Sequence, residues 1–203
     1  MSLKLKQMIA LLVTAMALAL LYLSAYLPYV KGSLYISALS EVQSATTLQD
    51  FITPFETAFN FWSPIGEPEE VRFFANNTLG MLTNQKQQLP ETVATALVDY
   101  TVQKLNSNPL GAKGLNYSQS ILIEASILSA YGQEYKQASA LQKAEELYQE
   151  GLQLSPKRPQ FLYGLFSLYL AEGNAAAAKP IGEEILKYWP DDQNVAGIVG
   201  KLN

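Results

Sequence analysis

The sequence of 203 residues contains no cysteine and no histidine, and each absence excludes a class of chemistry. Without cysteine there are no disulfides, no thiol nucleophiles and no cysteine-ligated zinc sites. Without histidine there are no Ser-His-Asp triads, no imidazole general bases and no histidine-ligated metals. We therefore expect neither an enzyme nor a protein that binds a metal or a cofactor. The composition favours a role in binding or scaffolding.

Charged residues make up 16% of the chain, and they are unevenly distributed. Residues 1–31 contain Lys4, Lys6 and Lys31 and no acidic residue, whereas the rest of the chain is acidic and brings the formal net charge to −4. An acidic soluble part lacks the basic face that contacts with phosphate groups require. We therefore expect no nucleic-acid partner.

An uncharged, predominantly apolar run extends from Met8 to Val30. A helix of this length spans about 35 Å, which is enough to cross a hydrocarbon core of about 30 Å. Tyr22, Tyr26 and Tyr29 share one helical face near its end, where amphipathic rings suit the headgroup level, and Pro28 is placed to end or bend the helix. The run predicts a retained transmembrane anchor. The alternative is a cleaved signal peptide, whose apolar core is usually shorter, at about 7–15 residues.

The basic residues around this run predict its orientation. Lys4, Lys6 and the terminal amine outnumber Lys31 at the other end. Because basic flanks stay preferentially in the cytoplasm, we expect a single-pass anchor with a cytoplasmic N-terminus. The soluble part would then lie in the periplasm or an equivalent extracytoplasmic compartment.

The C-terminal part of the chain contains a repeat, with Pro156 and Pro190 separated by 34 residues. In the segment before each proline, small residues occupy positions at which the two helices of a repeat would approach closely. Larger residues occupy positions at which they would fill the space between neighbouring repeats. Two positions depart from the pattern: Phe166 stands where a small residue is usual and Gly182 where an aromatic one is usual. The upstream helix fits the register only if the turn within residues 132–142 is about four residues longer than usual. The residues that fit the pattern best are Ala144, Tyr148, Gly151, Pro156, Leu165, Tyr169, Gly173, Ala178 and Pro190.

On these residues, the segment 118–203 resembles a tetratricopeptide repeat domain. The resemblance implies an all-α fold in which helical hairpins stack into a right-handed solenoid, and a role in binding proteins or peptides. Residues 32–116 show weaker helical periodicity and predict divergent hairpins that end in a loop over Ser107–Asn116. We therefore divide the chain into a transmembrane anchor (1–31), divergent hairpins (32–116) and repeats with a C-terminal capping helix (117–203).

Four residues at the start of the last complete repeat are the candidates for partner binding. Lys157 and Arg158 form the only adjacent basic pair and suit an acidic or carboxylate group, although an ordinary loop between repeats is the alternative. Phe161 and Tyr163 lie on the helix that lines the concave surface in such arrays. Tyr163 falls between the packing positions and is the stronger candidate, whereas for Phe161 we favour the alternative of a core residue.

A cluster of three acidic residues, Glu67, Glu69 and Glu70, also allows two interpretations. It could in principle bind a cation. Acidic residues are also stabilised in the first turn of a helix by the helix dipole, and we favour this second interpretation.

The order of elements, an apolar span followed by divergent helices and then repeats, also resembles the C-terminal tail of bacterial O-antigen ligase-like and polymerase-like membrane proteins. Those proteins have many spans, whereas this chain has one apolar run, so the resemblance implies no ligase activity and transfers no catalytic residue. The first hypothesis is a membrane-anchored scaffold that binds a protein or peptide at the outer face of the membrane. The alternative is an accessory or detached part of an envelope polysaccharide assembly system, with glycan-assembly enzymes as partners.

Overall fold

The computed structural model describes residues 2–42, 47–84, 89–107 and 114–202, and it is all-α over these residues. The helices are α1 (Leu3–Leu21), α2 (Leu27–Glu41), α3 (Leu48–Asn60), α4 (Glu67–Leu82), α5 (Glu91–Ser107), α6 (Gly114–Tyr135), α7 (Ala138–Leu154), α8 (Pro159–Ala171), α9 (Ala175–Tyr188) and α10 (Gln193–Val199). The predicted all-α class is confirmed over this part of the chain.

The chain divides into two compact units, Met1–Val71 and Arg72–Asn203, and the division falls within α4. The first unit begins with a continuous helical stretch, Leu3–Glu41, that is long and apolar enough to cross a membrane. No residue in its most apolar window is buried. By length and composition this stretch is a candidate span, although a signal sequence near the N-terminus satisfies the same criteria.

The helical stretch does not end at Pro28, as the sequence had suggested it could, but continues to Glu41. A π-helical segment, Tyr22–Tyr26, lies between α1 and α2, and Pro28 occupies the first turn of α2. A proline ring inside a helix clashes with the carbonyl four residues earlier, which here belongs to Ser24 in the π-helical segment. The wider π-helical turn therefore lies at the position where it can relieve the clash between the Pro28 ring and the Ser24 carbonyl.

The helix α3 packs against α2. It runs antiparallel to α2, because Lys31 contacts Ala58 whereas Tyr35, further along α2, contacts the earlier Phe55. It begins with a capping box in which Thr47 and Asp50 each bond the backbone amide of the other. The ring of Tyr35 lies 5.4 Å from that of Phe55 and 6.5 Å from that of Phe59. These aromatic contacts form the core of the first hairpin.

The most deeply buried charged residue of the first hairpin is Lys31, which is 1% exposed. Its ammonium donates to the carbonyl oxygens of Ala58 at 2.9 Å and Phe61 at 2.8 Å, and lies 3.6 Å from Glu70 Oε2. A buried charge is tolerated when it is paired and hydrogen-bonded, and this one satisfies carbonyls at the end of α3. Lys31 therefore ties α2 to the end of α3 and the start of α4, and is not an exposed flank of the anchor.

The second unit contains successive helix pairs in which glycines face aromatic rings. A methyl group on Gly151 would lie 2.2 Å from the Phe161 ring, and one on Gly164 would lie 2.4 Å from the Tyr148 ring. Only a residue without a side chain allows these rings to come so close. The short distance between α7 and α8 therefore depends on two contacts, each between a glycine on one helix and an aromatic ring on the other.

Two helix boundaries differ from the predicted ones. The turn predicted to be longer within residues 132–142 is short: α6 continues to Tyr135, Lys136 has a positive φ of 56° and α7 begins at Ala138. The additional residues extend a helix instead of a loop. In the predicted loop Ser107–Asn116, α6 already begins at Gly114, and residues 108–113 lie outside the described residues.

Candidate peptide-binding groove

The helices of the second unit pack in chain order. The pairs α5–α6, α6–α7, α7–α8, α8–α9 and α9–α10 are in contact, and α6 also contacts α8. Side chains join α4 to α5, because the hydroxyls of Thr78 and Thr101 lie 3.0 Å apart and are fully buried. Alternate helices therefore lie side by side, as the first helices of stacked hairpins do.

A groove of about 530 Å³ lies between the C-terminal end of α4 and the side of α6. The end of α4 contributes the apolar side chains of Leu79 and Leu82, and the polar Thr83 and Asn84 follow it; α6 contributes hydroxyl and amide groups. The lining on the α6 side and from α7 consists of Ser126, Ser129, Ala130, Gln133, Glu134 and Tyr148. Such a mixture can receive apolar side chains on one wall and peptide backbone groups on the other.

The polar wall of the groove is ordered by its own hydrogen bonds. Ser126 donates to the Leu122 carbonyl at 2.8 Å, and its hydroxyl lies 3.4 Å from the Tyr148 hydroxyl. Gln133 donates to the Ser129 hydroxyl at 2.9 Å. Burial raises the pKa of the Tyr148 phenol, so this group stays neutral and can donate and accept. Apart from the carboxylate of Glu134, the wall presents neutral groups that suit a peptide amide.

The predicted basic pair makes contacts within the protein. The Lys157 ammonium lies 5.4 Å from the Tyr188 ring centroid, and Lys157 remains exposed. Arg158 donates to the Ser118 hydroxyl at 2.6 Å, and its guanidinium lies 5.3 Å from the Phe161 ring. Of the two, Lys157 is the better placed to meet a partner.

Phe161 and Tyr163 point to different surroundings. Phe161 is completely buried and packs against Gly151, so its interpretation as a groove residue is corrected to a core residue. Tyr163 is half-buried, and its hydroxyl donates to Asp192 Oδ2 at 2.5 Å. This hydrogen bond raises the pKa of Tyr163 to about 12 and lowers the pKa of Asp192. Tyr163 therefore connects α8 to the N-cap of α10.

The acidic cluster lies in the first turn of α4, as the favoured interpretation predicted. Glu70 is buried beside Lys31, and its pKa is raised to about 7, chiefly because burial disfavours the charged form. Among the described residues, no group of three or more acidic side chains is placed to hold a metal ion.

The groove residues themselves were missed by the sequence analysis. Gln133 falls within residues 132–142, for which a longer turn was predicted, and the serine and glutamine residues of α6 have no distinctive spacing. The one sequence signal of Ser129 and Gln133 is that two polar residues lie one helical turn apart on the same face of the helix. That signal becomes meaningful only when α4 is known to lie opposite.

Comparison with known proteins identifies the C-terminal helices. Residues 135–202 match the tetratricopeptide repeat family. The match covers α7 to α10. No curated protein and no solved structure matches the chain, and no match links it to O-antigen ligases. Tetratricopeptide repeats generally bind proteins or peptides and are typically non-catalytic.

Proposed function

We propose that this protein is a membrane-anchored scaffold that binds a protein segment in the groove between α4 and α6. The observation that carries the proposal is the groove itself, which combines the leucines of α4 with the ordered polar wall of α6. The repeat match supports a binding role for the same helical array. An anchor would raise the local concentration of the groove near membrane partners.

A photo-crosslinking residue at Gln133 tests the groove. Gln133 is exposed and lines the groove, whereas Gln153 is exposed on α7 and does not line it. In native membranes, we expect the full chain with the crosslinker at Gln133 to yield a discrete adduct. The same chain with the crosslinker at Gln153 is the matched control. Equal adducts from both positions, or none from Gln133, would contradict binding in the groove.

The predicted contact through Lys157, Arg158 and Tyr163 belongs to the proposal as a second partner surface. The exposed Lys157 ammonium supports it, whereas Tyr163 and Arg158 already have partners in the protein. Substitution of all three by alanine should reduce the yield of the Gln133 adduct if the partner extends over α8. An unchanged yield would confine the partner to the first groove.

The proposed orientation places the N-terminus in the cytoplasm and the repeats on the other side of the membrane. Lys4 and Lys6 support it, because Lys31 is buried beside Glu70 and therefore provides no exposed basic flank at the far end. The chain has no native cysteine, so a single cysteine at the exposed position Lys201 reports the side. We expect a membrane-impermeant maleimide to label intact cells. Labelling only after lysis would show that the repeats lie in the cytoplasm, which is the opposite orientation.

The alternative role in envelope polysaccharide assembly stays a prediction from the order of elements. No observation on the described residues favours it, and it forms no part of this proposal.

A further inference from the structure

Two large apolar side chains are exposed in the loop between α3 and α4. Trp62 is 66% exposed and Ile65 is 59% exposed. The five residues from Trp62 to Gly66 carry no charge. Large apolar groups exposed together on a neutral loop mark an interaction surface.

The structure fixes this loop next to the end of the apolar run. Lys31, which directly follows the run, donates to the Phe61 carbonyl at 2.8 Å, and a methyl group on Gly66 would lie 3.8 Å from Lys31 Cδ. Both ends of the loop are therefore held at Lys31. Leu27, which lies one helical turn before Lys31 and inside the last part of the apolar run, is also buried, so protein covers this face of α2 down to that level.

The path of the chain explains this position. The helix α2 leads away from the apolar run, and α3 returns antiparallel to it, with Tyr35 against Phe59 and Lys31 against the end of α3. The chain is thus brought back to the level at which the run ends before α4 begins. Tyr26 and Tyr29, which are 55% and 73% exposed, lie within the last turns of the apolar run, close to this level.

We infer that the loop Trp62–Ile65 docks into the lipid interface beside the anchor, as a second contact with the membrane. The inference rests on the proposed anchor. We infer that the loop contacts lipid, because it lies at the same height along the helix as the end of the lipid-facing run. Tryptophan and tyrosine are the side chains that prefer the headgroup level, where an apolar ring and a polar tip are both accommodated.

The backbone and charges of the loop fit this environment. The Ser63 hydroxyl donates to the Ile65 carbonyl at 2.7 Å and accepts from the Ile65 amide at 3.4 Å, so the turn satisfies polar groups internally. Backbone groups near the hydrocarbon region need such partners. The next charged residues, Glu67 and Glu69, are acidic, so the docking is apolar and does not require anionic lipid.

The test uses the full chain reconstituted in phosphatidylcholine vesicles. Trp62 and Trp189 are the two tryptophans, so Trp189→Phe leaves Trp62 as the reporter, and Trp62→Phe measures the signal that does not come from the loop. The vesicles contain phosphatidylcholine that is brominated either near the headgroup or near the chain end. We expect the vesicles to float with the protein, and the shallow bromines to quench Trp62 by roughly half, more than the deep ones do.

The outcomes separate the loop from the anchor. Flotation with no quenching of Trp62, and full access of an aqueous quencher to it, would overturn the docking and leave the anchor intact. Failure to float would overturn both. In the Trp189→Phe background, Ile65→Asp should abolish the quenching without preventing flotation, because a carboxylate expels the loop while the apolar run remains. Unchanged quenching in that variant would also overturn the inference.

Discussion

The α2–α3 hairpin and the α8–α9 hairpin are both pairs of packed helices, but different contacts determine their geometry. In the first, the end of α3 is held by the buried ammonium of Lys31, which also pairs with Glu70. In the second, the space for Phe166 is provided by Gly182, where a methyl group would lie 2.9 Å from the ring. One pair depends on a polar centre and the other on complementary shapes.

This difference determines how each hairpin responds to substitution. A contact between a large and a small residue can be kept when the two residues exchange positions. Phe166 stands where the repeat pattern usually has a small residue and Gly182 where it usually has an aromatic one, and the two are still in contact. A buried ion pair cannot be exchanged in this way, since the loss of one partner leaves the other charge unsatisfied. We therefore expect the first hairpin to be vulnerable at a few polar atoms.

The largest effect is expected from Lys31→Met. It removes the donor to Ala58 and Phe61 and leaves Glu70 buried without its cation, so the first hairpin should lose about 3–5 kcal/mol of its free energy of unfolding. Amide hydrogen exchange of α2 and α3 in the full chain in lipid nanodiscs measures the loss. The double variant Lys31→Met/Glu70→Leu should recover part of it, because no buried charge remains. Unchanged exchange in Lys31→Met would show that the ion pair does not hold the hairpin.

A smaller effect is expected from Gly151→Ala in the repeats. The new methyl group would overlap the buried Phe161 ring and should cost about 1–3 kcal/mol in the free energy of unfolding. Gly197→Ala is the matched control, because its methyl group meets nothing within 4 Å and should leave stability unchanged or raise it by up to about 1 kcal/mol. Thermal unfolding of the full chain compares the two. Equal stability of both variants would contradict the close contact.

The pH dependence of the first hairpin should follow Glu70. Its pKa is raised to about 7 in the folded state from an ordinary value of 4.5, so folding takes up a proton between these values. Its stabilising contribution is complete below about pH 4.5 and is lost as the pH rises through about 7, by at most about 1.4 kcal/mol per pH unit. Hydrogen exchange of α3, corrected for intrinsic rates, should show stronger protection at pH 5.5 than at pH 7.5.

The control for this prediction is Glu70→Gln, which keeps the shape of the side chain and removes the titration. The difference in α3 protection between the two pH values should largely disappear. A difference that persists in Glu70→Gln would assign the pH dependence to another group.

The smallest effect is expected from Tyr163→Phe. The substitution removes the hydroxyl that donates to Asp192 but keeps the ring, which lies 5.9 Å from that of Trp189. The loss should be about 1 kcal/mol, because the bond is partly exposed to water. It should be confined to the amides of α10, whose N-cap is Asp192. Equal loss of protection in α7 would contradict a local role.

Several elements were predictable because their signals are local. Gly173 and Asn174 lie between two apolar periodic stretches, and they form the turn between α8 and α9: Gly173 has a φ of 70°, and the Asn174 side chain caps α9. The acidic residues around Glu67 mark the start of α4 in the same way. Each of these signals depends on neighbours within one helical turn, so no knowledge of the fold is required.

Other features could not be predicted because their partners are distant in sequence. The groove needs α4 opposite α6, and neither Leu82 nor Ser129 indicates the other. The longer turn predicted within residues 132–142 is wrong, and Gly132 in that segment lies inside α6. In the structure it instead provides room for Leu141, whose side chain would lie 2.6 Å from a methyl group there. A glycine thus marks a turn or a close contact, and only packing distinguishes the two.

The sequence by itself determined the helical class, the apolar run and the presence of a repeat in the C-terminal part. Each of these follows from periodicity and from residues that start or stop helices. Only the tertiary structure decided which side chains are buried together: Lys31 with Glu70, Phe161 with Gly151, and the walls of the groove. The physical reason is that periodicity assigns a residue to a face of its own helix, whereas the meeting of two faces depends on the path of the whole chain.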